Sequence, residues 1–216
     1  MKVLELHAGS RSMGKAAESL GYEVFSVDYK DFENINLVTD IEFLKPEHIP
    51  FIPDVIVSGP DCTTYSIAAI SHHRNGIEPK SEYAKKCDRV NLNQWNLINY
   101  YLKLNPKLKF FIENPRGMMR KMPFVQGIPR VTIWYCRYGK DEIRAKPTDW
   151  WSNHIHNPLF NPDGWKPRPE CWNNNIHCHH ERAERGSKTG TQGLKGSYER
   201  STYPKELCLE ILKSCI

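Results

Sequence analysis

The sequence predicts an α/β domain of the doubly wound kind, built on a mostly parallel sheet and carrying a small irregular lobe toward its C-terminal end. Three observations carry this. The chain opens on an alternating apolar stretch, a glycine turn and a helical stretch, which is how a nucleotide-binding unit begins. Continuous apolar runs bounded by turn residues recur at Val55–Val57 and Phe110–Ile112, and such runs fit strands covered on both faces. From Ser152 to Gly196 the periodicity stops, and proline, asparagine, glycine, histidine and tryptophan dominate.

A chain of 216 residues suits one domain with a full core. The formal charge is +5, a mild excess that permits a polyanionic partner without requiring one. Seven cysteines are spread widely, and the opening Met1 to Leu6 lacks the apolar core of a secretory leader, so a reducing, cytosolic compartment is expected. No apolar run approaches the roughly 20 residues that span a bilayer. A soluble chain without membrane contact follows, and a monomer is expected.

Residues Lys2 to Leu6 alternate into the first strand. Gly9 then lets the backbone turn under a ligand, and Gly14 lets the helical stretch Lys15 to Leu20 start close to it, with free N–H groups at its amino terminus. Tyr22 to Asp28 is a second strand, and Asp28 ends it at about the spacing of an acid that accepts bonds from ribose hydroxyls. Asn34 to Ile41 makes a third short strand or turn, and Leu44 to Pro53 is a proline-punctuated connection into the strand Val55–Val57.

That strand stops at Gly59-Pro60-Asp61-Cys62. Ligands of open α/β sheets bind beyond the carboxyl ends of the strands, so Cys62 is placed for chemistry; as a small hydrophobe it is equally suited to burial, and position alone leaves both readings open. Ser66 to Glu82 is polar and reads as a mobile loop over the site, with His72, His73 and Arg74 either solvated or gripping phosphate. Tyr83 to Leu104 has helical apolar spacing, at Val90, Leu92, Trp95, Leu97, Ile98, Tyr101 and Leu102. Phe110 to Pro115 is a buried strand that brings Glu113 and Asn114 to the same sheet edge as Cys62. Arg130 to Tyr135 is the next strand; Tyr138-Gly139 then turns the chain into a segment where basic residues alternate with others before Trp150-Trp151.

The loop-rich stretch holds Cys171, His177, Cys178 and His180, four residues of the types that ligate zinc, at a spacing that matches no standard finger; no metal is assigned on it. Tyr203 to Cys215 is a proline-started amphipathic helix. The chain thus divides into a core of residues 1–151, a lobe of 152–197 and a C-terminal helical segment of 198–216 that returns to the core.

Taken together and in order, these stretches resemble the cytosine carbon-5 DNA methyltransferase family, in a compact form like those encoded by phages. Leu6-His7-Ala8-Gly9-Ser10-Arg11-Ser12-Met13-Gly14 resembles its first motif, the glycine turn that holds S-adenosylmethionine. Asp28, followed by Tyr29, stands where the family places its ribose-binding acid, and Thr39-Asp40-Ile41 resembles the motif that meets the adenine. Gly59-Pro60-Asp61-Cys62 is similar to the Pro-Pro-Cys nucleophile motif, and Glu113-Asn114-Pro115 to Glu-Asn-Val. The 138–146 segment lines up with Gln-x-Arg-x-Arg, and Glu199 to Leu207 is similar to the C-terminal helix motif that returns beside the cofactor.

The resemblance implies a Rossmann-like, S-adenosylmethionine-dependent methyltransferase fold whose lobe selects the target. It implies cofactor contacts from His7, Ala8, Gly9, Ser10, Gly14, Asp28, Tyr29, Asp40, Ile41 and Pro60. It implies three catalytic residues: Cys62 adds to carbon 6 of cytosine, Glu113 protonates or hydrogen-bonds ring nitrogen 3, and Arg144 holds the base carbonyl. The partner is DNA presenting a flipped or single-stranded cytosine, and the setting is the cytoplasm of a bacterial or phage-infected cell. Three departures stand out: Asp61 replaces a proline, Glu142 and Lys146 replace a glutamine and an arginine, and the lobe is short. An acid beside a thiol opposes its ionisation, so either Asp61 points away or the rate is modest. Two rival functions share these residues: group transfer onto a free cytosine nucleotide, and an idle DNA-binding homologue.

Overall fold

A computed structural model describes residues 1–138, 141–142, 144–155, 178, 180 and 197–216. The strands are β1 (Lys2–Leu6), β2 (Glu23–Asp28), β3 (Leu37–Val38), β4 (Val55–Ser58), β5 (Arg74–Asn75), β6 (Glu78–Pro79), β7 (Lys109–Pro115), β8 (Arg130–Trp134) and β9 (Pro147–Ser152). The helices are α1 (Ser12–Ser19), α2 (Ile70–His73), α3 (Glu82–Leu104), α4 (Ser197–Ser201) and α5 (Lys205–Lys213). Seven strands form one sheet in the order β3-β2-β1-β4-β7-β9-β8. The pairs from β3 through β7 are parallel, whereas β9 runs antiparallel to both of its neighbours. From β1 the chain winds outward to β2 and β3; from β4 it winds the other way, so the order reverses between β1 and β4. Past the carboxyl ends at such a reversal the loops part and leave a crevice.

Side-chain alternation builds two cores on one sheet. Val3, Val55, Val57, Phe111 and Trp150 face α1 and α5, while Leu4, Leu6, Ile56, Phe110, Ile112 and Trp151 face α3. Helix α3 starts where the Ser81 hydroxyl accepts the Ala84 N–H at 3.1 Å. It buries Ala84, Cys87, Asn91, Trp95, Ile98 and Tyr101, a three- and four-residue spacing that keeps one stripe against the sheet. It ends before Asn105, whose helical conformation the following proline disfavours.

The sheet contains a strand that the sequence reading leaves as an alternating basic segment. Strand β9 inserts between β7 and β8 and sends Trp150 and Trp151 into opposite cores. Its Asp149, fully buried, accepts from Arg120 at 2.6 and 2.7 Å, from Arg130 at 3.2 Å and from the Thr132 hydroxyl at 2.7 Å. Pairing continues to Ser152, and Asn153 extends it by accepting the Phe110 N–H at 2.9 Å.

In the stretch read as a mobile loop whose His72, His73 and Arg74 are either solvated or gripping phosphate, Arg74 does neither. The stretch folds into α2 and a small β5–β6 hairpin, and Arg74 lies buried against α3. Its guanidinium donates to Asp88 at 2.5 and 3.0 Å and to the Thr64 carbonyl at 3.1 Å, and stacks over the Tyr65 ring at 4.5 Å. A buried cation is tolerated only when paired in this way. Arg74 therefore pins the chain after Cys62 to α3 rather than meeting an outside anion. No helix among the described residues is long and apolar enough to cross a membrane.

Candidate active site

The loop after β1 is held in an unusual backbone shape. Gly9 has φ +49°, and two residues with side chains, His7 and Arg11, have φ +54° and +55°. Such conformations cost of order 1 kcal/mol or more for non-glycine residues and persist only when neighbours enforce them. Here the Gly9 N–H donates to Asp28 Oδ2 at 2.9 Å, the Ala8 N–H to the Val27 carbonyl at 3.1 Å, and Arg11 Nε to Ser26 Oγ at 3.0 Å. Asp28 also accepts the Lys30 N–H at 2.9 Å, so its buried carboxylate clamps the glycine turn onto β2.

Gly14 is needed for a different reason than the approach of a ligand. Its N–H donates to Glu5 Oε1 at 2.9 Å, and a Cβ there would lie 2.5 Å from Glu5 Oε2. The buried Glu5 carboxyl, pushed up to about 7 by burial, occupies that space.

Beside this loop opens a cleft lined by His7, Tyr29, Asp40, Ile41 and Pro60 from the strand ends and by Asp61, Tyr83, Lys86, Cys87, Val90 and Asn91. Ala8, Gly9, Ser10, Gly14 and Asp28 do not line it; Ser10 bonds Ser12 at 2.8 Å. Tyr29 is 58% exposed at the cleft. Burial would raise the Asp40 carboxyl, but the Lys86 ammonium at 2.6 Å and the Glu42 N–H at 3.0 Å outweigh it and hold Asp40 below the usual range. Asn91 Oδ1 is buried without a hydrogen-bond partner.

On the far side of Pro60, β4 and β7 bring the thiol and a carboxyl together. Ser58 pairs with Ile112, which sets Gly59 beside Glu113. A Cβ on Gly59 would lie 2.1 Å from the Tyr203 hydroxyl and 3.4 Å from Glu113 Oε2, so glycine is what admits Tyr203. Tyr203 donates to Glu113 Oε2 and Tyr135 to Oε1, both at 3.3 Å, and Lys146 Nζ lies 3.8 Å from Oε1. Burial pushes the Glu113 carboxyl up, with Lys146 opposing. Asn114 Nδ2 donates to the Pro60 carbonyl at 2.9 Å, fixing the Cys62 turn to the strand that bears Glu113.

Cys62 is half-buried, and burial pushes its thiol up to about 11; Lys146 pulls it down, while Asp61 and Glu113 add to the rise. The Asp61 carboxylate has its own partners, accepting the Thr63 N–H at 2.6 Å and the Tyr83 hydroxyl at 2.9 Å. It thereby ties the Cys62 turn to α3.

Arg144 is drawn elsewhere. Its guanidinium donates to Glu142 at 2.7 and 2.5 Å and to the Thr202 carbonyl at 3.0 Å, with the plane 5.2 Å from the Tyr135 ring. The cation that faces Glu113 and Cys62 is Lys146. Tyr135 and Tyr203 are site residues that motif reading passed over, and Lys146 is one it marks only as a departure from the family pattern. The repeated basic position at 144 and 146 and the Tyr-Pro start of the last helix are the signals that could have found them. Of the four zinc-type residues, Cys171 and His177 lie outside the described residues, and Cys178 and His180 lie within them.

No protein-family model and no curated protein sequence matches the chain. Solved structures do. The methyltransferase EhMeth of Entamoeba histolytica superposes with a TM-score of 0.50 at 14% identity, over 70% of this chain and 52% of that one. A Spodoptera frugiperda DNMT2 variant gives 0.47 at 19% identity, over 78% and 53%. A candidate DNA modification methyltransferase encoded within an E. coli prophage gives 0.43 at 16%, over 70% and 46%. The chain spans about half the length of the solved structures it resembles. With the strand order, the likeness to EhMeth establishes the fold: a Rossmann-like α/β domain.

Proposed function

We propose that this chain is an enzyme, a DNA methyltransferase that uses S-adenosylmethionine to methylate cytosine at carbon 5. The observation that carries the reading is the pairing of Cys62 with Glu113 at the carboxyl ends of adjacent strands, locked by the Asn114–Pro60 bond, beside a cleft suited to an adenosine group. The cleft fits S-adenosylmethionine by its chemistry: an exposed Tyr29 ring, a carboxylate at Asp40, apolar Ile41 and Val90, and the unsatisfied Asn91 acceptor. His7, Tyr29, Asp40, Ile41 and Pro60 would hold it. When bound, it supplies an electrophilic methyl group.

The side chains of this protein prepare the base. Carbon 5 of cytosine is a poor nucleophile until a thiolate adds to carbon 6, and Cys62 is that nucleophile. With a thiol near 11 the proton must pass to water as the sulfur bonds to carbon 6, and the positive charge of Lys146 favours the reacting form. Addition drives negative charge toward ring nitrogen 3. Burial raises the Glu113 carboxyl and so favours its giving a proton or a hydrogen bond there, and Tyr135 and Tyr203 orient its two oxygens. Lys146, not Arg144, is then the cation nearest the reacting base. Arg144 serves by holding Glu142 and the 199–202 turn. A base inside a duplex cannot reach such a pocket, so the target is flipped or single-stranded. The resemblance to compact phage-encoded enzymes favours the cytoplasm of a bacterial or phage-infected cell as the setting.

The test is incubation with methyl-labelled S-adenosylmethionine and, separately, duplex DNA, single-stranded DNA, RNA and dCMP. Label should enter DNA as 5-methylcytosine, and Cys62→Ser should lower turnover by at least about a hundredfold, a hydroxyl being a far weaker nucleophile. Label confined to RNA or dCMP, or full activity in the serine variant, would refute the reading.

A further inference from the structure

Away from the cleft, the described residues bring three metal-ligating side chains together. Cys136 sits in the 3-10 turn Tyr135–Arg137 that follows β8, and its sulfur, that of Cys178 and a ring nitrogen of His180 all lie within 4.8 Å of one another. Cys136 is fully buried and His180 is 6% exposed. Among the described residues no other group of three histidines, cysteines or acids converges in this way, the Cys62–Glu113 pair included. Local spacing could not have found it, because Cys136 comes from the core and the other two from the loop-rich stretch.

Buried cysteines often serve only as small hydrophobes. Cys208 and Cys215 show that use: both are buried in the same core as Cys136, and neither joins such a group. The histidine sets the other cluster apart. An imidazole is poor apolar filler, and burying its nitrogens is costly unless they gain a ligand or a hydrogen bond. Two thiolate sulfurs and one imidazole are three of the four donors that a closed Cys2His2 or Cys3His zinc site uses. With Zn–S near 2.3 Å and Zn–N near 2.0–2.1 Å, ligand atoms in a tetrahedron stand roughly 3.4–3.8 Å apart. Ligand atoms that already lie within 4.8 Å of one another have to close by roughly an ångström to reach those separations.

We propose that Cys136, Cys178 and His180 bind a zinc ion that fastens the loop-rich stretch to the core beside the active site. The point of attachment is telling: Cys136 adjoins Tyr135, whose hydroxyl donates to Glu113. The ion is structural, and its loss would free a segment whose next residue orients the catalytic carboxyl.

The experiment uses the full chain, expressed with added zinc and purified under reducing conditions, and measures bound metal by mass spectrometry. The expected result is about one zinc per chain. It should fall at least several-fold in Cys136→Ser, Cys178→Ser and His180→Ala, and persist in Cys215→Ser. Metal-free wild-type protein would overturn the proposal, and so would zinc undiminished in Cys136→Ser. Because a serine at the buried Cys136 could unfold the chain, the wild type supplies a second readout. Chelation should raise iodoacetamide labelling of Cys178 several-fold and leave Cys208 unlabelled, and cobalt reconstitution should give a thiolate-to-metal charge-transfer band. Equal Cys178 labelling before and after chelation, or cobalt uptake without that band, also overturns it.

Discussion

At the scale of single residues, electrostatics decides what the site can do. A thiol pushed up to about 11 is almost wholly protonated at neutral pH, with on the order of one part in ten thousand ionised. Peptide-mapped alkylation of Cys62 should therefore rise with pH toward a midpoint near 11. Lys146→Met should move that midpoint up, and Asp61→Asn should move it down, because one removes an attracting cation and the other a like charge. An unchanged profile in the lysine variant would show that burial alone sets the thiol.

Glu5 makes the complementary case for stability. Its carboxyl, ordinarily near 4.5, is raised to about 7 in the fold by burial. The fold thus favours the protonated form. That contribution is whole below pH 4.5 and is lost as the pH climbs through 7, on the order of 3 kcal/mol across the window. Glu5→Gln should flatten the pH dependence measured by urea unfolding; the same slope in both proteins would rule the assignment out.

At the scale of elements, one glycine joins two distant parts of the chain. Gly59 follows β4, and the space where its side chain would be holds the hydroxyl of Tyr203, from the segment before α5. Gly59→Ala should cost about 1–3 kcal/mol by overpacking and should slow turnover, since Tyr203 must leave Glu113. Adding Tyr203→Phe removes the clashing oxygen and should recover stability without recovering turnover. No gain in denaturation midpoint for the double variant would mean that the strain lies elsewhere. The same logic of distant partners explains β9, a strand with an aspartate at its centre, which local propensity disfavours. Arg120 and Arg130 neutralise that acid, and the two tryptophans beside it then fill both cores.

For the molecule as a whole, the cleft at the sheet's switch point predicts linkage between ligand and stability. S-adenosylmethionine or its demethylated product at about 100 times its Kd should add about 2.7 kcal/mol, a rise in Tm of roughly 5–10 °C for a domain of this size. Tyr29→Ala and Asp40→Asn should abolish most of that rise, while Glu113→Gln should keep it. A shift lost in the Glu113 variant and kept in the other two would place the cofactor on the wrong side of Pro60.

Local rules made the frame legible from sequence. Periodicity and turn residues mark β1, β2, β4, β7 and α3, and a strand's end marks where its next residues must stand, so Cys62 and Glu113 could be set at one sheet edge before any coordinates. What only the tertiary structure decided is which partner each buried charged or ligating group finds. Arg74 chose Asp88 over an outside phosphate, Arg144 chose Glu142 and left Lys146 to face Glu113, Arg120 reached 29 residues along the chain to make Asp149 tolerable in a strand, and Cys136 met Cys178 and His180. Apolar burial follows from a residue's own period. Burial of a charge is favourable only if an opposite charge or a donor converges on it in space, and that convergence is written in no short stretch of the chain.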